Sequence, residues 1–268
     1  MIQFCVLFLT VVLKQTYFFN REFPDKGLSF ATVKPDDLLL EVYFYLGPSF
    51  RRSASTAGHS NHKTLAKRIV SHAQEGLLHD TLGTKFHLDS TYLETPTEQN
   101  FLSDFSYSIP ERSLKVGRLH AALLGDDLLI HNEEGTLGIA NMPALCGNFF
   151  FCKFELLRTP VYFLLEIIYI TAWNNRGATS LTKWQNNILT TSQTLVHELA
   201  HNLGVGHDFE PNPIGRTRTC GPGKWTSGGG LMNYGKPRKT EWSSCSREDF
   251  TNYYERVLQT RGFCLQSG

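Results

Sequence analysis

The stretch Thr194 to Asp208, TLVHELAHNLGVGHD, places three histidines and one glutamate within a few turns of chain. On a helix, residues four apart lie one above the other, so His197 and His201 point the same way and can grip one ion. Neutral imidazole is a good zinc ligand. If the chain turns sharply at Gly204, His207 swings back to supply a third nitrogen. Three histidines leave a fourth position open for water, which is a catalytic rather than a closed structural arrangement. Glu198 follows the first ligand and can take a proton as water attacks a carbonyl, then pass it to a leaving amine. One zinc ion held by His197, His201 and His207, with Glu198 as acid/base, points to peptide hydrolysis.

These side chains need a helix and a turn. Leu195, Leu199 and Leu203, with Val196 and Ala200, give an apolar side and predict a helix over 192–203, capped by Thr191 or Ser192. Gly204 ends it in a left-handed turn. Upstream, 38–47 (LLLEVYFYLG) reads as a buried strand that stops at Gly-Pro. His59 to Leu78 has helical periodicity, with Leu65, Ile69, Val70, Ala73 and Leu77 on one face. Thr84 to Glu94 alternates as a strand. A helix is expected within 103–123, starting near Pro110-Glu111. Strands follow at Leu128 to His131 and Thr136 to Ala140, joined by a turn at 132–135. Glu166 to Thr171 reads as a further buried strand. Asp208 to Gly235 reads as irregular, and 246–260 as a last helix with Phe250, Tyr253, Tyr254 and Val257 on one side. Alternating strands and helices predict an α/β sheet.

The chain has 268 residues and a net charge of +1, which gives no electrostatic footprint for nucleic acid. The apolar run Ile2 to Leu13 has signal-peptide length, so 1–19 is expected to be a signal peptide, 20–36 a linker and 37–268 the catalytic domain of a secreted or extracellular protein. Phe149 to Ile170 is long enough to span a bilayer, but Lys153, Glu155, Arg158 and Glu166 interrupt it, so no membrane span is expected. Cys5, Cys146, Cys152, Cys220, Cys245 and Cys264 form no CxxC pair and read as disulfide partners in a secreted chain.

The full pattern H-E-x-x-H-x-x-G-x-x-H-D resembles the metzincin proteases, and Asp208 directly after the third histidine resembles their adamalysin (reprolysin, ADAM) branch. GGGLMNYG (228–235) resembles the family's Met-turn, with Met232 as its methionine. GTLGIA, residues Gly135, Thr136, Leu137, Gly138, Ile139 and Ala140, resembles the edge strand that pairs with substrate. The approach to the helix and the tail from Trp242 are similar to tumour-necrosis-factor-α converting enzyme-like ADAM catalytic domains. The resemblance implies a two-lobed fold. Its upper lobe is a twisted five-stranded mixed sheet with helices, and its lower lobe is irregular and carries a C-terminal helix.

The same resemblance implies disulfides Cys220–Cys245 and Cys146–Cys264, which leaves Cys152 for an intermolecular bond. It implies an extended polypeptide substrate and a specificity pocket formed in part by 234–237, and it leaves structural calcium open. Phe149 to Glu166 has no family counterpart and reads as an insertion or a mis-joined segment. Two other readings use the same residues: a catalytically silent binding module, and a fragment of a membrane-anchored sheddase. An intact Glu198 speaks against silence.

Overall fold

In the computed structural model, the described residues are 37–110, 113, 118–142, 178–212, 215–221, 223–224, 230–234, 239–255 and 266–267. All lie in one compact unit, Pro35–Gly268. The expected signal peptide and linker, the Phe149 to Ile170 block, the Glu166 to Thr171 strand, Cys146, Cys152 and Cys264 fall outside the described residues.

The first strand, β1 (Asp37–Leu46), has an alternating burial pattern with Leu38, Leu40, Val42, Phe44 and Leu46 on the enclosed face. Helix α1 (Pro48–Thr56) follows it. Next comes α2 (His62–Leu77), where Asn61 caps the start by accepting the Thr64 N–H. All five residues expected on its apolar face are buried. β2 (Lys85–Glu94) pairs parallel with β1 along its whole length.

The next stretch departs from expectation. Of the helix expected within 103–123 and starting near Pro110, the described residues show α3 (Leu102–Ser108), which lies ahead of that proline. Residues Arg118–Leu124 form a strand, β3, parallel to β1. Its sequence RLHAALL favours helix locally, yet six of its seven residues are buried, as a central parallel strand requires. The expected strand at 128–131 is a short 3-10 turn at Ile130–Asn132, with His131 and Asn132 at positive φ.

A short strand, β4 (Gly138–Ala140), and a longer one, β5 (Ala178–Lys183), complete the main sheet. The order is β2-β1-β3-β5-β4, with β4 antiparallel at the edge, and a two-residue strand, β6 (Gln266–Ser267), pairs with the start of β1. The sheet is therefore mixed and five-stranded in its main path, as expected. β5 was not foreseen: its segment ATSLTK is short and polar, although five of its six residues are buried. Helix α4 (Ile188–Asn202) packs against α2, and the two approach closely at Gly76, where an added Cβ would sit 3.3 Å from Val196. Among the described residues, the chain from 203 to 243 contains no helix or strand; α5 (Ser244–Tyr253) then follows. Phe250, Tyr253 and Tyr254 are buried as expected, and Val257 lies outside the described residues. No helix among the described residues is long and apolar enough to cross a membrane.

Candidate metal centre and cleft

α4 begins four residues before the expected start. Asn187 caps it, with Oδ1 accepting the Thr190 N–H at 3.1 Å. Thr191 and Ser192, expected as caps, lie inside the helix, and each donates its hydroxyl to a carbonyl four residues back. The helix ends as the glycine predicts. Gly204 has φ +84°, its N–H bonds the His201 carbonyl, and the Val205 N–H bonds the Ala200 carbonyl. These are the paired bonds of a Schellman cap. A Cβ at Gly204 would also lie 2.5 Å from the Tyr253 ring, so packing demands glycine as well.

Beyond the cap, three side chains distant in sequence hold the turn. Asn212 Nδ2 donates to the Gly204 carbonyl, and Asp249 Oδ2 accepts the Gly206 N–H. Arg216 Nη2 donates to the His207 carbonyl at 2.7 Å and pairs with Asp249 at 3.1 Å, both side chains being buried. Sequence reasoning found none of the three, because nothing local marks an arginine or aspartate as the clamp of a turn elsewhere.

The result is that His197, His201 and His207 converge, with one ring nitrogen from each lying within 4.8 Å of the others. Their Nδ1 atoms face oxygens: the Leu231 carbonyl for His197 (3.1 Å), the Val205 carbonyl for His201 (2.8 Å) and the Glu210 carboxylate for His207 (3.3 Å). An oxygen of this kind accepts, so each Nδ1 carries the hydrogen and each Nε2 carries the lone pair. The Nε2 atoms of His201 and His207 lie 3.1 Å apart. Two lone pairs aimed at each other repel, and a cation between them removes that repulsion. Nitrogens on a tetrahedral zinc at roughly 2.0–2.1 Å are about 3.4 Å apart, so the donor set fits zinc. Burial, followed by the neighbouring His207, pulls the His201 imidazole down to about 3, which keeps it neutral and able to ligate. Burial also lowers His207.

The segment expected as a Met-turn is fastened to these histidines. Met232 is fully buried, and its carbonyl accepts the Asp208 N–H. The carboxylate of Asp208 accepts from the Gly230 N–H and the Ser243 hydroxyl, both at 2.5 Å. The buried aspartate thereby ties the third histidine to the turn and to the cap of α5. Cys220 and Cys245 are disulfide-bonded, as expected. Tyr234, two residues past Met232, donates its phenol to His207 Nε2 at 2.8 Å. Burial first, then the charges of Glu198 and Glu210, push that phenol up to about 12, so it stays protonated. Of the expected pocket residues 234–237, only Tyr234 is among the described ones.

Glu198 is buried, and burial raises its carboxyl to about 8. β4 runs directly beside it: a Cβ at Gly138 would lie 2.5 Å from Glu198 Oε1 and 2.7 Å from its Cγ. Gly138, Ile139 and Ala140 are half-buried and border a cleft of about 280 Å³ shared with Glu198, His201, His207 and Tyr234. The expected edge strand of 135–140 is shorter than foreseen. Pairing starts at the Leu137 carbonyl, which accepts the Lys183 N–H, while Gly135, at φ +84°, and Thr136 precede the strand.

Residues 170–267 match the Reprolysin (M12B) family zinc metalloprotease. The match takes in α4, the three converging histidines, Met232 and the Cys220–Cys245 loop. No curated relative matches the sequence. Among solved structures, metalloproteinase-II from Bacteroides fragilis is similar over 81% of this chain at 12% identity and a TM-score of 0.45. The similarity covers 53% of that chain, so this one spans about half its length.

Proposed function

We propose that this chain is a zinc-dependent endopeptidase that cleaves extended polypeptides. The observation that carries the proposal is one cleft lined by the buried Glu198, by His201 and His207, and by β4, the last strand of the sheet among the described residues, with His197 converging on the same two histidines. The reprolysin match over the same residues supports it. His197, His201 and His207 would hold one zinc ion. When bound, zinc supplies Lewis acidity to the substrate carbonyl and lowers the pKa of the attacking water.

The remaining work falls to the chain. β4, which ends the sheet among the described residues, offers its outer side to the backbone of an extended peptide, which adds as a further strand. Glu198, beside Gly138, lies next to the bond so placed. Its carboxylate takes the proton from the attacking water and delivers it to the departing amine nitrogen. The local positive charge of a bound cation favours the carboxylate form that burial alone disfavours. The Tyr234 hydroxyl is a donor within the same cleft.

The finer reading follows the sequence resemblance: an ADAM-like catalytic domain over 37–268, acting on extracellular or cell-surface proteins. The Cys220–Cys245 disulfide supports an oxidising compartment. A buried, correctly placed Glu198 favours an enzyme over a silent binding module. Two measurements test the proposal: metal content by mass spectrometry, and hydrolysis of unfolded casein with and without a zinc chelator. One zinc per chain and chelator-sensitive cleavage are expected. A folded protein that holds zinc and leaves casein intact would overturn the peptidase reading.

A further inference from the structure

Asn202 is the last residue of α4, one helical turn beyond Glu198 and on the same side. It is wholly buried. Its Nδ2 donates to the Asn141 carbonyl at 2.7 Å and to the Thr179 carbonyl at 3.2 Å. Asn141 directly follows β4, and Thr179 lies in β5. Asn141 is held from the other side as well. Its N–H bonds the Thr179 carbonyl at 3.0 Å, and its Nδ2 donates to Thr179 Oγ1 at 2.6 Å. Thr179 Oγ1 in turn meets Ser106 Oγ of α3 at 2.7 Å. Three elements, α3, β5 and α4, therefore converge on the residue that follows the edge strand.

This contact is specific. A side chain that merely filled space here would be apolar, because burying an amide is costly. The Oδ1 of Asn202 has no hydrogen-bond partner among the described residues, which adds to that cost. What the amide supplies is a pair of N–H donors to two carbonyls, one just past β4 and one in its partner strand β5. One helix face thus touches both ends of β4: Glu198 packs on Gly138, and Asn202 holds Asn141.

We propose that Asn202 is a positioning residue that fixes the height and register of the β4 edge relative to Glu198, and so aligns a bound peptide with the catalytic carboxylate. The inference rests on the peptidase reading above. A peptide that adds to a sheet edge takes its position from that edge. If the edge drifts, long substrates lose alignment, while short ones that span only the scissile bond depend on it little. A misplacement of about 1 Å lowers turnover roughly 100-fold.

The test compares a ten-residue peptide with a three-residue amide of the same cleavage site, using wild type, Asn202→Ala and Thr179→Val. Asn202→Ala is expected to lower kcat/KM about 100-fold on the long peptide and under about 3-fold on the short one, with zinc content unchanged. Thr179→Val loosens the same knot without touching α4, and should act in the same direction by about 10-fold. The double variant should lose less than the product of the two, because both act through Asn141.

Hydrogen exchange of the segment 138–142 gives a readout independent of catalysis. It should quicken in both variants while 188–202 keeps its protection. Equal losses on long and short substrates, loss of zinc, or unchanged exchange at 138–142 would overturn the positioning role. If Asn202→Ala does not fold, Thr179→Val decides by the same criteria. If wild type cleaves neither peptide, the peptidase reading fails, and the exchange result alone decides whether Asn202 holds the edge.

Discussion

Gly138→Ala isolates the relation between β4 and the carboxylate proposed as acid/base, Glu198. The position is an ordinary extended residue of β4, so alanine meets no backbone penalty there. The conflict is steric. The new methyl would lie 2.5 Å from Glu198 Oε1, 2.7 Å from Cγ and 2.8 Å from Cδ. Relaxed contacts between carbon atoms begin at about 3.5 Å, so the carboxylate and its stem must retreat by about 1 Å. Turning the carboxylate alone does not relieve the clash, because Cγ is involved. A displacement of that size costs roughly 100-fold in rate, or about 2.7 kcal/mol of transition-state stabilisation. Steady-state kinetics on a quenched fluorescent peptide should show kcat falling about 100-fold, with KM changed under about 3-fold and zinc retained. A variant with kcat within about 3-fold of wild type would refute the claim that Glu198 acts from its place beside β4.

Other expectations follow from single observations. Replacing both Cys220 and Cys245 by serine opens a loop with a sequence separation of 25, and chain-entropy arguments put the cost at about 3.5 kcal/mol, measurable by urea denaturation under oxidising conditions. Burial first, and then the Arg118 charge, hold His120 down to about 4 from an ordinary 6.5. The unfolded chain therefore binds a proton that the folded chain refuses between those values. Stability falls as pH drops from about 6.5 to about 4, by up to about 3 kcal/mol in total, and is unaffected by this group above that window. His120→Gln should remove that part of the slope in denaturation curves taken from pH 4.5 to 7.5 with a chelator present. Glu210 orients the His207 ring through Nδ1, so Glu210→Ala should weaken zinc binding about 10-fold in a competition titration with a chromophoric chelator.

The convergence of the three histidines was legible in the sequence because its geometry is local. The helical period places His197, Glu198 and His201, and one glycine in a left-handed turn returns His207. The buried faces of β1 and α2 were legible for the same reason, since each repeats with its own period. The failures share the opposite cause. β3 is a central strand whose Ala and Leu residues carry no alternation, and the sheet overrides their helical preference. β5 is built from small polar residues whose burial depends on neighbours far along the chain. The cap of α4 was misplaced because threonines and a serine at 190–192 look like caps, while Asn187 sits just upstream. Arg216, Asp249, Asn141 and Asn202 gain their meaning only from contacts between distant elements.

Glu198→Ala, assayed beside wild type against a quenched fluorescent peptide library, tests the central claim most directly. Wild type should cleave, a zinc chelator should stop it and added zinc should restore it, and the variant should bind one zinc yet cleave at under about one hundredth of the wild-type rate. Wild-type-like cleavage by the zinc-loaded variant would contradict the role of Glu198. A zinc-loaded wild type that cleaves nothing would contradict the account of this chain as a peptidase.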